Sequence, residues 1–381
     1  MIRSILWDCC RNFLTMTENT NPQDARRALN LEDIGAKAGV SRSTVSRVIN
    51  NDPNVSDATR IKVMRVIDAM GYVPNLAARA LVTRRTQVVG VVIPQRLTTI
   101  FNEPYYFPAL LHGISTVFNA RDYSMMLWVE EDNHDPQRFY DRIVRNRLID
   151  GLIVASISQK SLFVTKMAEV DMPLVLTERP PEALAHHSYV TIDNLVAAQR
   201  AVTHLIRLGR RKIGHITGDM TNPDANERLE GYRAALQDAG FASDPGLIVE
   251  GNFSRQSGYH GAKVLLARGV DAVFAANDQA ALGVLDALHE SKRRVPEDVA
   301  VVGFDDLPAA STSTPSLTSV RQPVEDRGSR AAQLLLDTIE GVERDVRHVL
   351  LPTELVIRQS CGAHLSLGTS RGRLTLVSAG E

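Results

Sequence analysis

Cysteine is scarce in this sequence. Three cysteines among 381 residues, an adjacent pair at Cys9 and Cys10 and a distant Cys361, make neither a disulfide framework nor a metal-binding spacing. An odd, scattered set of this kind fits a reducing cytoplasm. Long apolar runs are missing too: no stretch reaches 18 apolar residues, so no membrane span and no membrane partner is expected. The opening MIRSILWDCCRNFLTM has one early arginine and internal charge, which makes a poor signal peptide. The local signatures of catalysis are absent as well. There is no GxGxxG, no GxxxxGK[ST], no HExxH, no CxxC and no GxSxG, and the ten histidines show no ligand spacing. An enzyme is not expected, nor a bound cofactor or metal.

Net charge is nearly absent, at −1, but it is unevenly divided. Residues 25–90 hold 11 Lys and Arg against 5 Asp and Glu, whereas the rest of the chain is mildly acidic. A basic head on an acidic body is the footprint of a protein that holds phosphates at one end. A length of 381 residues calls for two or three domains.

The most informative stretch lies in that basic head. In LEDIGAKAGVSRSTVSRVIN (31–50), Leu31, Ile34 and Ala38 recur on one helical face. Gly39 suits a left-handed turn, which is cheap only without a Cβ. Ser41 suits an N-cap, with its hydroxyl accepting from the backbone N–H groups that follow. In the second helix Val45, Val48 and Ile49 face inward and leave Arg42, Ser43, Thr44, Ser46 and Arg47 outside. That is the pattern of a helix-turn-helix whose second helix lies in a DNA major groove. The plainer alternative is an αα-hairpin with a solvated polar face. A third helix, Asp57–Met70, follows Ser56 with Val63, Val66, Ile67 and Met70 as its apolar stripe, and Gly71 ends it. Pro74 forbids helix at the residue before it, and Asn75 then caps a short segment, 76–82. So short a segment is not stable alone, so it is expected to fold only on DNA.

From Gln87 onward the pattern changes. Apolar runs at 88–93, 124–129, 151–156, 174–177, 212–218, 272–277 and 299–304 alternate with helix-length segments. Such runs predict parallel sheets covered on both faces, and their number favours two lobes. Ligands in open α/β sheets sit at the carboxyl ends of strands. Asn277 and Asp278 end one predicted strand, and Asp305 and Asp306 end another. Capping of turns is the alternative role for such residues.

The segments AGVSRSTVSRVINN, VSDATR, GYVPNLAARAL, ANDQAALGVL and VAVVGFDD together resemble the lactose-repressor (LacI/GalR) family of bacterial transcription regulators, from about Leu31 to about Gly362. Gly35 departs from the pattern, because the family usually has alanine there. A mid-helix glycine costs about 0.5–1 kcal/mol relative to alanine, so a slightly weakened first helix is expected.

The resemblance implies a multidomain chain: an all-α helix-turn-helix head with a hinge helix, joined to a bilobed α/β core like the periplasmic binding proteins. The corresponding segments are an extension at 1–28, the DNA-binding domain at 29–74, a hinge at 75–86, the effector-binding and dimerisation core at 87–362 and a tail at 363–381. The extension is either a disordered arm or an over-extended start with Met16 as initiator. The chain is expected to cross between lobes near Val190, Pro315 and Arg344.

For the head, base contacts are expected of Arg42, Ser43 and Arg47, because arginine can bridge guanine O6 and N7. The resemblance assigns phosphate contacts to Thr44, Ser46, Asn50, Ser56, Thr59 and Tyr72, with a solvated surface position as the alternative for each. Asn75 serves as cap and contact, and Leu81 matches the family's minor-groove wedge. For the core, Arg228, Asn277 and Asp305 match residues that hydrogen-bond the effector, and Phe253 matches an aromatic packed against it. Tyr106 and Phe107 match an aromatic pair that often faces the cleft in the family, with an interlobe or core role as the alternative for both. The segment 96–107 is longer than the family's usual connection. The implied protein is a homodimer that represses carbohydrate-related genes. It binds a pseudo-palindromic double-stranded operator and answers to a sugar or sugar-derived effector.

Overall fold

The computed structural model describes residues 29–50, 52–72, 85–93, 105–129, 135–145, 148–158, 161–167 and 170–363. The assignments to Asn75, to Leu81 and to the rest of the hinge helix lie outside the described residues, as do most of the long 96–107 connection, the 1–28 extension and nearly all of the tail. The chain divides into two compact units, Met1–Thr86 and Gln87–Glu381.

Among the described residues the first unit holds three helices, α1 (Leu31–Ala38), α2 (Arg42–Ile49) and α3 (Asp57–Met70). Each begins on a side-chain cap that satisfies orphan N–H groups. Asn30 and Asp33 form a reciprocal capping box on α1, Ser41 accepts from Thr44 N, and Ser56 accepts from Thr59 N. Gly39 and Gly71 end α1 and α3 in left-handed conformation, with φ of 63° and 59°. The core is small: Ile34, Ala38, Val45, Val48, Val63 and Ile67 are buried, with Leu31, Val66, Met70 and Tyr72 packed around them. Gly35 is buried in α1, and an added Cβ there would stand 2.8 Å from the Val40 carbonyl oxygen. The glycine therefore lets the turn close against α1, so its effect is not only the propensity loss expected from sequence.

Among the described residues the second unit contains two six-stranded sheets. The first has the order β11-β5-β4-β3-β1-β2 and is parallel throughout. Its strands are β1 (Val88–Ile93), β2 (Ser124–Val129), β3 (Gly151–Val154), β4 (Leu174–Leu176), β5 (Ser188–Ile192) and β11 (His348–Leu351). The second sheet, ordered β12-β10-β9-β8-β6-β7, is parallel except for β12. It comprises β6 (Ile213–Ile216), β7 (Ile248–Val249), β8 (Ala272–Ala275), β9 (Ala300–Asp305), β10 (Thr318–Arg321) and β12 (Glu354–Val356).

Helices cover both faces of each sheet, which is why the strands are nearly all-apolar. On the first sheet, α4 (Tyr106–Ala120) packs with α12 (Val324–Glu340) on one face, and the short helices α5 (Pro136–Tyr140) and α6 (Leu162–Lys166) cover the other. On the second, α7 (Asn194–Arg207) and α8 (Pro223–Asp238) lie on one face, α9 (Arg255–Ala267) and α10 (Asp278–Glu290) on the other. A last short helix, α11 (Pro308–Thr312), follows β9. The α9–α10 pair is close enough that a Cβ on Gly283 would sit 1.9 Å from the Arg255 carbonyl oxygen.

Every strand expected from the sequence is present, with ends within two residues of those expected. Five were missed: β5, β7, β10, β11 and β12. They are short or carry polar residues in mid-strand, as in SYVTI and TSVR, so they lack the continuous apolar run. Two expected crossings move for that reason. The chain leaves the first lobe after Ile192, close to the expected Val190. It returns between Arg321 and Val324 rather than near Pro315, because β10 is built first. It crosses last between Leu351 and Glu354 rather than near Arg344, because β11 still belongs to the first sheet.

Candidate DNA-binding and effector sites

In the head, α2 turns its polar residues outward. The Arg42 and Arg47 side chains are 68% and 64% exposed, held loosely by Glu32 at 3.0 Å and Asp52 at 3.9 Å. Exposed ion pairs of this kind are worth little and exchange readily for a phosphate or a base. Ser43 and Thr44 both hydrogen-bond the Ser41 hydroxyl, at 2.8 and 2.9 Å. Ser46 lies beside Asn50, whose side-chain nitrogen is 3.5 Å from its hydroxyl. Ser56 and Thr59 pair at the start of α3, and Tyr72 is half-buried against the head's core. The structure thus gathers Arg42, Ser43, Thr44, Ser46 and Arg47 on one element and places Ser56 and Thr59 at the next helix start.

In the core, the carboxyl ends of β4, β8 and β9 and the start of α8 meet between the lobes. Asn222 caps α8 through Asp224 N and Ala225 N, which sets Asp224 and Arg228 one turn apart on its buried side. Arg228 is 4% exposed. Its Nε donates to Asn194 Oδ1 at 2.9 Å and its Nη1 to the Ala276 carbonyl at 2.6 Å. The guanidinium lies 3.8 Å over the Phe304 ring and 3.7 Å from Asp305. Asp305 accepts from Gln322 Nε2 at 2.5 Å and sits at a φ of 109°, a conformation non-glycine residues rarely adopt. Burial pushes its carboxyl up to about 6, and the Arg228 charge opposes that rise.

Phe253 has a left-handed backbone, with φ of 65°. Its ring fills the space over Gly218, where a Cβ would stand 2.0 Å from Phe253 Cζ. The Arg228 guanidinium is 6.0 Å from the ring centroid. Asn277 is engaged by backbone on both sides. Its Oδ1 caps α10 through Ala280 N at 2.9 Å, and its Nδ2 donates to the Phe253 carbonyl at 2.9 Å. Asn277 therefore positions Phe253, so the capping alternative describes it well. Tyr106 reaches the cluster, its hydroxyl accepting from Arg327 at 3.1 Å. Phe107 does not. It is 3% exposed in the core of the first lobe, edge-on to Tyr106, because α4 turns successive residues to different faces. Its assignment to the effector site is corrected accordingly.

Five residues of the cluster escaped the sequence reading. Arg327 on α12 is fully buried, donates to Gln322 Oε1 at 2.7 Å and lies 3.5 Å from Asp224. Glu178, just past β4, accepts from Ile157 N at 2.6 Å and is 3.5 Å from Asn222 Nδ2. Burial pushes its carboxyl up to about 8, helped by the Asp224 carboxylate and opposed by Arg327. Glu178, Asp224, Gln322, Arg327 and Asn222 all stand at strand ends, lobe crossings or a helix start; the rule that found Asp305 would have found Glu178, whereas Gln322 follows β10, a strand the sequence did not reveal. With Glu178 protonated the cluster balances two guanidiniums against two carboxylates. Asp224 Oδ1 and Arg327 Nε are buried without a hydrogen-bond partner. Such atoms are rare in native structures and mark places where another polar group belongs.

The lobes are linked around this cluster. Arg327–Asp224, Glu178–Asn222, Ser158–Thr221 at 3.0 Å and Arg179–Glu227 at 2.8 Å all join the first lobe to the segment that starts α8. Among the described residues no group of His, Cys, Asp and Glu is arranged to hold a metal, and no helix is long and apolar enough to cross a membrane.

A capped helix-turn-helix head joined to a two-lobed core with a polar interlobe site defines a DNA-binding regulator rather than an enzyme. Residues 30–75 match the family model of bacterial regulatory proteins of the lacI family, and residues 202–361 match that of the periplasmic binding protein-like domain. The chain is 40% identical over 342 residues to the HTH-type transcriptional regulator CelR of Thermobifida fusca, covering 88% of this chain and 99% of that one. It is 33% identical to catabolite control protein A of Priestia megaterium, covering 86% and 98%. Among solved structures, a CelR–cellobiose complex matches with a TM-score of 0.69 at 38% identity, covering 87% and 99%. The lac repressor dimer bound to operator and the anti-inducer ONPF matches with a TM-score of 0.75 at 26% identity, covering 88% and 99%. The chain belongs to the LacI family of transcriptional regulators.

Proposed function

We propose that this regulator is a repressor of carbohydrate-related genes that acts in the cytoplasm, binds a pseudo-palindromic operator as a homodimer, and is switched by a sugar or sugar derivative. The observation that carries the effector reading is the buried interlobe cluster, with two guanidiniums, three carboxyl groups and an aromatic ring. Arg228 and Asp305 supply a donor and an acceptor for ligand hydroxyls, Phe253 covers an apolar ring face, and Asp224 and Arg327 offer the unpartnered atoms. A ligand there competes with the contacts that join the lobes, so it changes their relation. A coupling of about 1–3 kcal/mol between ligand and DNA suffices for a useful switch.

Dimerisation is supported by β2, a sheet-edge strand that exposes Met125, Met126 and Leu127 at 36%, 37% and 42%. Exposed apolar edges call for a covering partner. Base reading is assigned to Arg42, Ser43 and Arg47, and phosphate contact to Thr44, Ser46, Asn50, Ser56, Thr59 and Tyr72.

Selection of bound duplexes from a random pool at near-physiological salt tests the DNA half. A recovered pseudo-palindrome supports it, and steep salt dependence without a motif refutes it. Cellobiose, the ligand in the CelR complex, is the first effector to titrate. Asp305→Ala should keep operator binding and lose the ligand response; an unchanged response removes Asp305 from the site.

A further inference from the structure

Away from the interlobe cluster, a groove of about 340 Å³ runs between α7 and β12. That is within the range of small-molecule sites. The helix wall is one stripe of α7: Val196, Gln199, Arg200, Thr203 and Arg207 recur at helical spacing, with His204 beside them. The opposite wall is Leu355 of β12. The other face of α7 is apolar after the buried Asn194, with Ala197, Ala198, Ala201, Val202 and Leu205 buried in the core of the second lobe.

Among the described residues neither arginine of this stripe, Arg200 or Arg207, has a carboxylate within ion-pair distance, whereas most other arginines of the second lobe do. On the same stripe Gln199 Nε2 donates to Asp238 at 2.6 Å. Across the groove, Glu354 is 3.5 Å from Arg321. Arg207 complements the carbonyls at the end of α7, but Arg200 lies two turns earlier, where the helix end has no claim on it. His204 is held beside Cys361, Nε2 to Sγ 3.3 Å, and burial and Arg207 lower its pKa, so it adds a neutral wall.

We propose that this groove binds a phosphomonoester. Seven residues of helix separate the α-carbons of Arg200 and Arg207 by about 10 Å, a gap that two arginine side chains close from opposite ends onto one dianionic group. The Thr203 hydroxyl lies between them on the same stripe as a further donor. Val196 and Leu355 line the space left for the organic part. A guanidinium fork matches phosphate oxygens in pairs, whereas an uncharged sugar would leave both arginines without a counter-charge.

The test is 31P NMR and calorimetric titration of the full chain with a hexose 6-phosphate, inorganic phosphate and the unphosphorylated hexose, at ionic strength matched with sodium chloride. Saturable binding of a phosphate-bearing probe is expected, weakened roughly tenfold or more in Arg200→Gln/Arg207→Gln. Both side chains are exposed, so the variant should fold as the native chain does. Tighter binding of the hexose phosphate identifies an organic phosphate as ligand, and equal binding identifies free phosphate. The proposal is overturned by no saturable binding, by equal binding of the unphosphorylated hexose, or by an affinity unchanged in the double variant, which would place the phosphate elsewhere.

Discussion

Glu178→Gln isolates one buried carboxyl of the interlobe cluster. The Glu178 carboxyl is 3% exposed and, through burial first and the Asp224 carboxylate second, has its pKa pushed from 4.5 to about 8. In the unfolded chain it ionises near its ordinary value. Between those limits the unfolded state binds fewer protons than the folded one, so the group makes stability fall as pH rises. The slope approaches 1.4 kcal/mol per pH unit, roughly, and the whole window is worth on the order of 4 kcal/mol as an upper bound. Glutamine keeps the shape and an acceptor for Ile157 N, but it cannot ionise. The variant should match the native chain near pH 5 and exceed it in stability by pH 8.5. Urea unfolding followed by circular dichroism from pH 5 to 8.5, at constant ionic strength, reads this directly. Asp305 titrates in both proteins, with its pKa raised to about 6, so the difference between the two curves belongs to Glu178. A difference that stays constant across pH would refute the reasoning, because Glu178 would then be ionised in the fold.

Three other substitutions probe separate parts of the argument. Arg327→Met leaves Asp224 without its cross-lobe cation and should destabilise the core by about 3–5 kcal/mol in urea; adding Asp224→Asn should recover part of that loss, as a double-mutant cycle would show. Gly218→Ala places a Cβ inside the Phe253 ring, so the ring must leave its seat. Calorimetry should then show weaker effector binding by about 0.5–1.5 kcal/mol, with ligand-free operator affinity unchanged. Gly35→Ala gains about 0.5–1 kcal/mol of helix propensity, but its Cβ meets the Val40 carbonyl oxygen at 2.8 Å. Scanning calorimetry should therefore find the head no more stable, and a full gain in stability would mean that the turn has room to move.

The sequence made the head legible because all its determinants are local. Caps at Ser41 and Ser56, left-handed glycines at 39 and 71, and apolar residues at helical spacing each act within a few residues, and together they give the three helices their bounds. The strands were legible where they are buried on both faces. They were not where a polar residue stands in mid-strand, because Thr191 and Ser319 look like loop residues until their partners are known. The interlobe cluster divides in the same way. Arg228, Phe253 and Asp305 stand in recognisable motifs, whereas Arg327 sits in an amphipathic helix where a charged residue ordinarily faces water. Only the return of the chain to the first lobe after β10 turns that position inward.

That return also ties the two lobes together at the cluster. α12 belongs to the first lobe by packing and to the second by its connection through Gln322, so Arg327 and Gln322 join Tyr106 of one lobe to Asp305 and Asp224 of the other. A ligand that donates to Asp305 or accepts from the Arg327 Nη atoms competes with this chain, because those atoms already have partners across or beside the junction. Phe253 lies outside that chain, held by Asn277 and seated on Gly218. Ligand affinity and the lobes' response to ligand should therefore be separable. Changes at Gly218 or Phe253 weaken binding and leave the response at saturation intact, whereas changes at Gln322 or Arg327 alter the response even when the ligand is fully bound.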